Sequence, residues 1–148
     1  MSTVGKRTVY VGAGANNAQP LNVEGVAVAA TAPGTYVDLS SSGLTASGDA
    51  ATVFGKLRLF ADKDQARSKS IDDAWTIDEN MVAIQGRSGD ILNILVATAQ
   101  TLAIGDPLVS NGAGLMTKGT GAGTQHVIAI ADEAITTSGT NLVRVKIA

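Results

Sequence analysis

Apolar and polar residues along this chain alternate in short runs, and the period is two more often than 3.6. TYVDLS (35–40) sets Val37 and Leu39 against Tyr36 and Asp38. KLRLFA (56–61) sets Leu57 and Leu59 against Lys56 and Arg58, and LVRVKI (142–147) sets Val143, Val145 and Ile147 against Leu142, Arg144 and Lys146. That is the pattern of half-buried strands. Short strands are also predicted over 8–11 and 107–110, and the apolar run GVAVAA (25–30) ends at a TAPG turn. The stretches 40–50, 62–73 and 119–125 predict loops. The second of these is charged with mixed signs and reads as solvated. NGAG (111–114) predicts a turn, with Gly105 and Gly112 in backbone angles that favour glycine. WTIDENMVAIQ (75–85) fits two patterns: Ala74, Ile77, Met81 and Ile84 have helical spacing, while DEN (78–80) makes a turn before a strand over 81–85. Periodicity does not choose between them.

Two segments differ from the rest. DILNILVA (90–97) and HVIAIAD (126–132) are apolar on nearly both faces. Strands of that kind need cover on both faces. In a short chain one sheet does not readily cover itself twice, so a second subunit is the economical cover and an oligomer is expected.

Composition sharpens this picture. The chain has 148 residues, 45% of them apolar but only 3% aromatic, so the core must be aliphatic. Seventeen glycines favour many turns over long helices. A net charge of −2 argues against direct nucleic-acid binding, which generally uses a basic excess. The absence of cysteine removes disulfides, thiolate catalysis and Cys-based zinc sites, and fits synthesis in a reducing cytoplasm. The N-terminus has no continuous apolar core of a signal peptide, and no apolar run reaches the ~20 residues that span a bilayer, so no membrane partner is expected. Residues 1–22 carry Lys6, Arg7 and a Gly/Ala/Asn-rich stretch before the first acid, Glu24. They read as an extended arm ahead of a β-rich domain over 23–148, or as a strand that pairs within that domain.

Candidate chemistry is sparse. VYVGAGANN begins like a dinucleotide-binding turn, but Pro20 and the lack of helical period after it remove the required helix. GTGAGTQ (119–125) has no Lys-Ser/Thr pair to hold phosphates. Asp62 with Asp64, or Asp72 with Asp73, are fragments of a cation loop without its regular ligand spacing. His126 begins an apolar strand, and Trp75 and Tyr36 read as packing or interface residues. A biotin- or lipoyl-type carrier would present a lysine at its hairpin turn, whereas Lys118 follows the NGAG turn. No catalytic residue, cofactor or metal is expected.

The order of several segments carries a resemblance. KSIDDAW (69–75), SGD (88–90), VATAQTLAIGDPL (96–108), SNGAGLM (110–116), HVIAIADEAITTSG (126–139) and VRVKI (143–147) follow one another as in the head decoration, or capsid cement, proteins of tailed bacteriophages. APGTYVDLSSSG (32–43) and KLRLFADKD (56–64) fit the same plan. The chain resembles that family from about Glu24 onward, with Ala129 where the family often has glycine; residues 12–20 lie outside the likeness. The resemblance implies an all-β fold, a small β-tulip or β-barrel-like domain of short strands with an extended N-terminal arm. It implies a homotrimer bound to the major capsid protein on the outer surface of the expanded head, with neither catalysis nor cofactor. The expected shell contacts are Lys6, Arg7, Val9, Val11 and Asn16, in the low-complexity arm. Ile94, Val96, Ile128 and Ile130, in the two-sided apolar strands, are expected at the trimer interface. The rival readings are another virion part, such as a tail-tube or fibre-base domain, and a small enzyme or ligand-binding module.

Overall fold

A computed structural model describes residues 6–13 and 19–148. In chain order its strands are β1 (Tyr10–Gly12), β2 (Leu21–Val26), β3 (Tyr36–Ser40), β4 (Gly43–Ala46), β5 (Leu59–Ala61), β6 (Asn80–Gln85), β7 (Ile91–Val96), β8 (Thr101–Leu102), β9 (Pro107–Ser110), β10 (Met116–Lys118), β11 (Ala129–Ala131), β12 (Ile135–Thr136) and β13 (Asn141–Ile147). The fold is all-β, and no helix among the described residues is long and apolar enough to cross a membrane.

Five strands close into a barrel in the order β7-β10-β9-β11-β13, with β13 returning to β7. The closing seam is the longest pairing of the ring, running antiparallel from Asn141↔Val96 to Lys146↔Ile91. Closure removes the exposed strand edges that an open sheet would present. Cross-strand partners share a face, so the register identifies the interior. Leu92 faces Val145, Ile94 faces Val143, Leu108 faces Ala129 and Met116 faces Val96. All of these are fully enclosed. The small residues Ala129 and Ala131 let such a narrow barrel fill without overpacking.

The second sheet runs β2-β6-β5-β3-β4. It curls until its ends meet, through a bridge between Ala27 and Leu44 and a Val28 N–H bond to the Leu44 carbonyl at 3.0 Å. Its inner face holds a cluster of its own around Leu44, Leu59, Met81 and Trp75. The opposite face carries Tyr36, Phe60 and Ile84, which are successive cross-strand partners and join the barrel core. Tyr36 and Phe60 meet edge to face with centroids 5.5 Å apart. Burying Phe60 and Ile84 there is worth about 1.5–3 kcal/mol each, and this welds the two sheets together.

The two-sided apolarity of 90–97 finds its cover inside one chain. Ile94 and Val96 point into the barrel, and Leu95 on the outer face lies under the 32–35 turn. There the Leu95 N–H donates to Gly34 at 3.0 Å, and a Cβ on Gly34 would overlap Leu142. Burial of Ile94, Val96 and Ile128 therefore needs no sister subunit. The 126–132 segment is less symmetric than it reads: Ile128 is enclosed, whereas Ile130 points outward and is 39% exposed.

Other expectations shift in detail. The ambiguous 75–85 segment is a turn followed by a strand, β6. The 40–50 stretch contains β4, hairpinned onto β3. Leu39 and Leu57, expected to point inward, are exposed, while Tyr36 and Phe60 are buried. Gly105 and Gly112 do hold positive φ, +96° and +83°. The 62–73 loop is not uniformly solvated: Asp62, Asp64 and Ile71 are buried.

Candidate functional site

The N-terminal segment is where shell contacts were expected, and part of it is built into the domain. β1 pairs antiparallel with β7, Tyr10 opposite Leu92. The Asn93 N–H donates to the Val9 carbonyl at 2.7 Å, and the Asn93 side-chain amide donates to Thr8 at 2.7 Å. Lys6 Nζ donates to Glu133 Oε2 at 2.8 Å, and the other oxygen of Glu133 accepts the Arg144 N–H at 2.8 Å. Val9 is wholly enclosed in the barrel core, so its side chain offers no contact surface. Arg7 and Val11 are exposed, with Val11 at 46%. Asn16 lies outside the described residues. β1 is the end strand of its sheet, so among the described residues no strand pairs its outer edge.

The four residues expected at a trimer interface do not gather on one surface. Three are interior and only Ile130 presents itself outward. The sequence reading missed an exposed apolar pair at the second sheet's rim, where Leu39 at the end of β3 and Leu57 in the loop before β5 line one surface hollow; Phe54 in the same loop is also exposed. Alternation assigned Leu39 and Leu57 to the core, which concealed them. Phe54 stacks on the His126 ring with centroids 4.7 Å apart, and His126 Nδ1 lies 2.9 Å from the Val53 carbonyl. His126 thus pins this loop to the barrel.

The residues weighed for chemistry take structural parts. Trp75 is buried and its indole N–H donates to the Asp62 carbonyl at 2.6 Å, which ties the 62–73 loop to the second sheet. Tyr36 is buried beside Phe60, and burial, with the nearby charges of Asp38 and Asp49, pushes its hydroxyl up to about 12. Asp72 and Asp73 are exposed in a turn. No group of three or more His, Cys, Asp or Glu side chains able to hold a metal ion occurs among the described residues. Asp62 and Asp64 instead wall a cleft of about 470 Å³ on the outer face of β2 and β6. Burial holds the Asp62 carboxyl above its usual range, against hydrogen bonds from the Lys63 N–H and the Gln65 amide.

No protein-family model matches the chain, and no curated protein matches its sequence. Its fold is similar to the crystal structure of the head fiber gp8.5 N base in bacteriophage phi29, with a TM-score of 0.56 and 12% sequence identity. The similarity covers 88% of this chain and 95% of that one. At this identity the likeness is one of fold.

Proposed function

We propose that this chain is a structural part of a tailed-phage virion, and that its work is adhesion to the outside of the head. The observation that carries the reading is the shared fold with a phage head-fibre base over nearly the whole of both chains. The order of motifs that resembles capsid cement proteins supports it independently.

In this reading the chain binds the major capsid protein as a homotrimer and acts by linkage. A protein that binds only the expanded shell stabilises that shell against the DNA packed inside it. Three tied copies need only weak individual contacts, because the second and third bind at high effective concentration. The outer edge of β1, flanked by exposed Arg7 and Val11, supplies a place where a shell segment adds as a further strand through main-chain hydrogen bonds. Catalysis has no part in this role, and neither nucleic acid nor membrane is a direct partner.

A second reading is favoured by the same fold comparison: the chain is the base on which a head fibre stands. The two readings share a location and differ in what rises from it. The test is electron cryomicroscopy of expanded heads of the parent phage with and without added protein. Compact density on three-fold positions supports decoration, and a shaft rising from the added density supports a fibre base. Heads that acquire no density, under conditions where the protein remains folded, overturn both.

A further inference from the structure

Asn111 is the one asparagine of the sequence that is followed by glycine. It opens the turn between β9 and β10 and is exposed there. The turn is closed by the Asn111 N–H, which donates to the Leu115 carbonyl at 3.0 Å. It is also pinned to the second sheet, because the Gly114 carbonyl accepts the Tyr36 N–H and the Gly114 N–H donates to the Ser47 carbonyl, each at 2.9 Å.

Two main-chain donors converge on the side-chain oxygen inside this turn. Asn111 Oδ1 accepts the Ala113 N–H at 2.8 Å and the Leu115 N–H at 3.2 Å. Such a pair polarises the amide and stabilises the negative charge that develops on its oxygen when a nucleophile adds at Cγ. The nucleophile is the next main-chain nitrogen, already tethered to the same residue, so ring closure carries little translational cost. The Gly112 N–H makes a 3.3 Å hydrogen bond to Ser110 Oγ and is not spent on a strand ladder. Gly112 has no side chain to obstruct the ring. It holds φ +83°, and a Cβ there would meet no heavy atom closer than 3.8 Å, so its peptide has room to turn towards Cγ. Asn22 and Asn80 are also exposed, but they lie in β2 and β6 and precede Val23 and Met81, whose side chains crowd such a ring. Asn93 and Asn141 are buried.

We propose that Asn111 is a site of spontaneous covalent modification, deamidation through a cyclic imide, and that the native turn speeds it. Hydroxide removes the Gly112 amide proton. The nitrogen bonds to Asn111 Cγ, the Cγ–Nδ2 bond breaks, and Nδ2 takes a proton from water and leaves as ammonia. Water then opens the five-membered imide. Breaking the new N–Cγ bond leaves an aspartate in an unchanged main chain. Breaking the bond from that nitrogen to the main-chain carbonyl carbon of residue 111 leaves isoaspartate, with the chain routed through the side chain. The net change consumes one water and releases one ammonia. Aspartate keeps both N–H donors, now as charge-assisted hydrogen bonds. Asp49, whose carbonyl accepts the Ser110 hydroxyl at 2.6 Å, has its own carboxylate 3.3 Å from Lys56, which limits its repulsion of the added charge. Isoaspartate instead lengthens the main chain within the turn that ties the barrel to the second sheet.

Timed incubation of the full chain tests this, folded in buffer and unfolded in guanidinium chloride at the same pH and temperature. Proteolytic peptides resolved by liquid chromatography and mass spectrometry report asparagine, aspartate and isoaspartate at each position. Asn111 should convert several-fold faster in the folded chain than in the unfolded one, while Asn22 and Asn80 of the folded chain stay intact. Equal or slower conversion on folding, or conversion of Asn22 or Asn80 as fast as Asn111, overturns the proposal. Asn111→Asp probes the same two donors without any reaction. Because they favour negative charge on that oxygen, its thermal melt should equal or exceed that of the parent chain. A lower melt shows that the turn does not stabilise the charge and overturns the proposal as well.

Discussion

Gly43 is the position at which the second sheet is most sensitive to one added methyl group. It opens β4 with φ +127°, and a Cβ there would overlap the main chain of Val26, its carbonyl oxygen first, well inside the 3.0 Å that real Cβ atoms keep. This is the seam where β4 meets the end of β2 and the sheet curls shut. Gly43→Ala must therefore push β4 away from β2. Positive φ in a residue with a side chain costs about 1–2 kcal/mol. Loss of the Val28–Leu44 hydrogen bond adds about 0.5–1.5 kcal/mol. Partial exposure of Leu44 and Ala27, both fully buried, adds about half of the ~1.5–3 kcal/mol for a whole leucine. The sum is about 2–5 kcal/mol, a large share of the ~5–15 kcal/mol that holds a domain folded. Gly112→Ala is the control, because Gly112 has φ +83° but no heavy atom closer than 3.8 Å to its added Cβ. It should show the conformational cost alone, about 1–2 kcal/mol. Urea unfolding monitored by circular dichroism gives both values from midpoints at constant m. If Gly43→Ala proves no more destabilising than Gly112→Ala, the seam is not tight and the curled description of the second sheet is wrong.

The remaining expectations concern the core, the surface and pH. Ile94→Asp should unfold the chain, since it places a charge in the closed barrel at a cost of several kcal/mol, whereas Ile130→Asp should leave the thermal melt nearly unchanged and reveal in sedimentation whether that outward face joins subunits. Arg7→Glu with Val11→Asp should reduce co-sedimentation with expanded heads without altering the melt; undiminished binding would remove β1 from the contact surface. The Glu79 carboxylate is held down to about 2 by the Thr76 N–H, with Arg67 and Lys69 adding to it. Its stabilisation is therefore complete above about pH 4.5 and lost as pH falls towards 2. The stability gap between the parent chain and Glu79→Gln should close over that window, and a gap that stays constant with pH contradicts the assignment. Trp75→Phe should cost about 1–3 kcal/mol by leaving the buried Asp62 carbonyl without its donor, measured as a shift in urea midpoint.

Some of this molecule is legible along the chain because local rules act alone there. PLVS and LVRVKI alternate between turns, and they appear as β9 and β13. Gly105 and Gly112 sit where only a glycine-rich turn links two short apolar runs, and they take the backbone angles that glycine permits. The charged loop misleads because charge is a local property and burial is not. Asp62 and Asp64 read as solvated, yet the indole of Trp75 and the edge of β6 draw them into a wall. Leu39 and Leu57 mislead in the opposite direction. Each alternates with polar neighbours and lies two residues from a member of the inner cluster, Val37 or Leu59, but falls outside that cluster and so stays at the rim.

By itself, then, the amino-acid order determined an all-β chain of short strands, a mainly aliphatic interior and the location of its tight turns. Those follow from period-two alternation, side-chain size and backbone freedom, which act over a few residues. Only the tertiary structure decided what covers the strand over 90–97 and where the acids of the 62–67 loop point. Cover depends on which distant segment arrives: the 32–35 turn lies over Leu95, and β1 lies along β7. No local pattern encodes that meeting, because its free energy comes from removing both surfaces from water together.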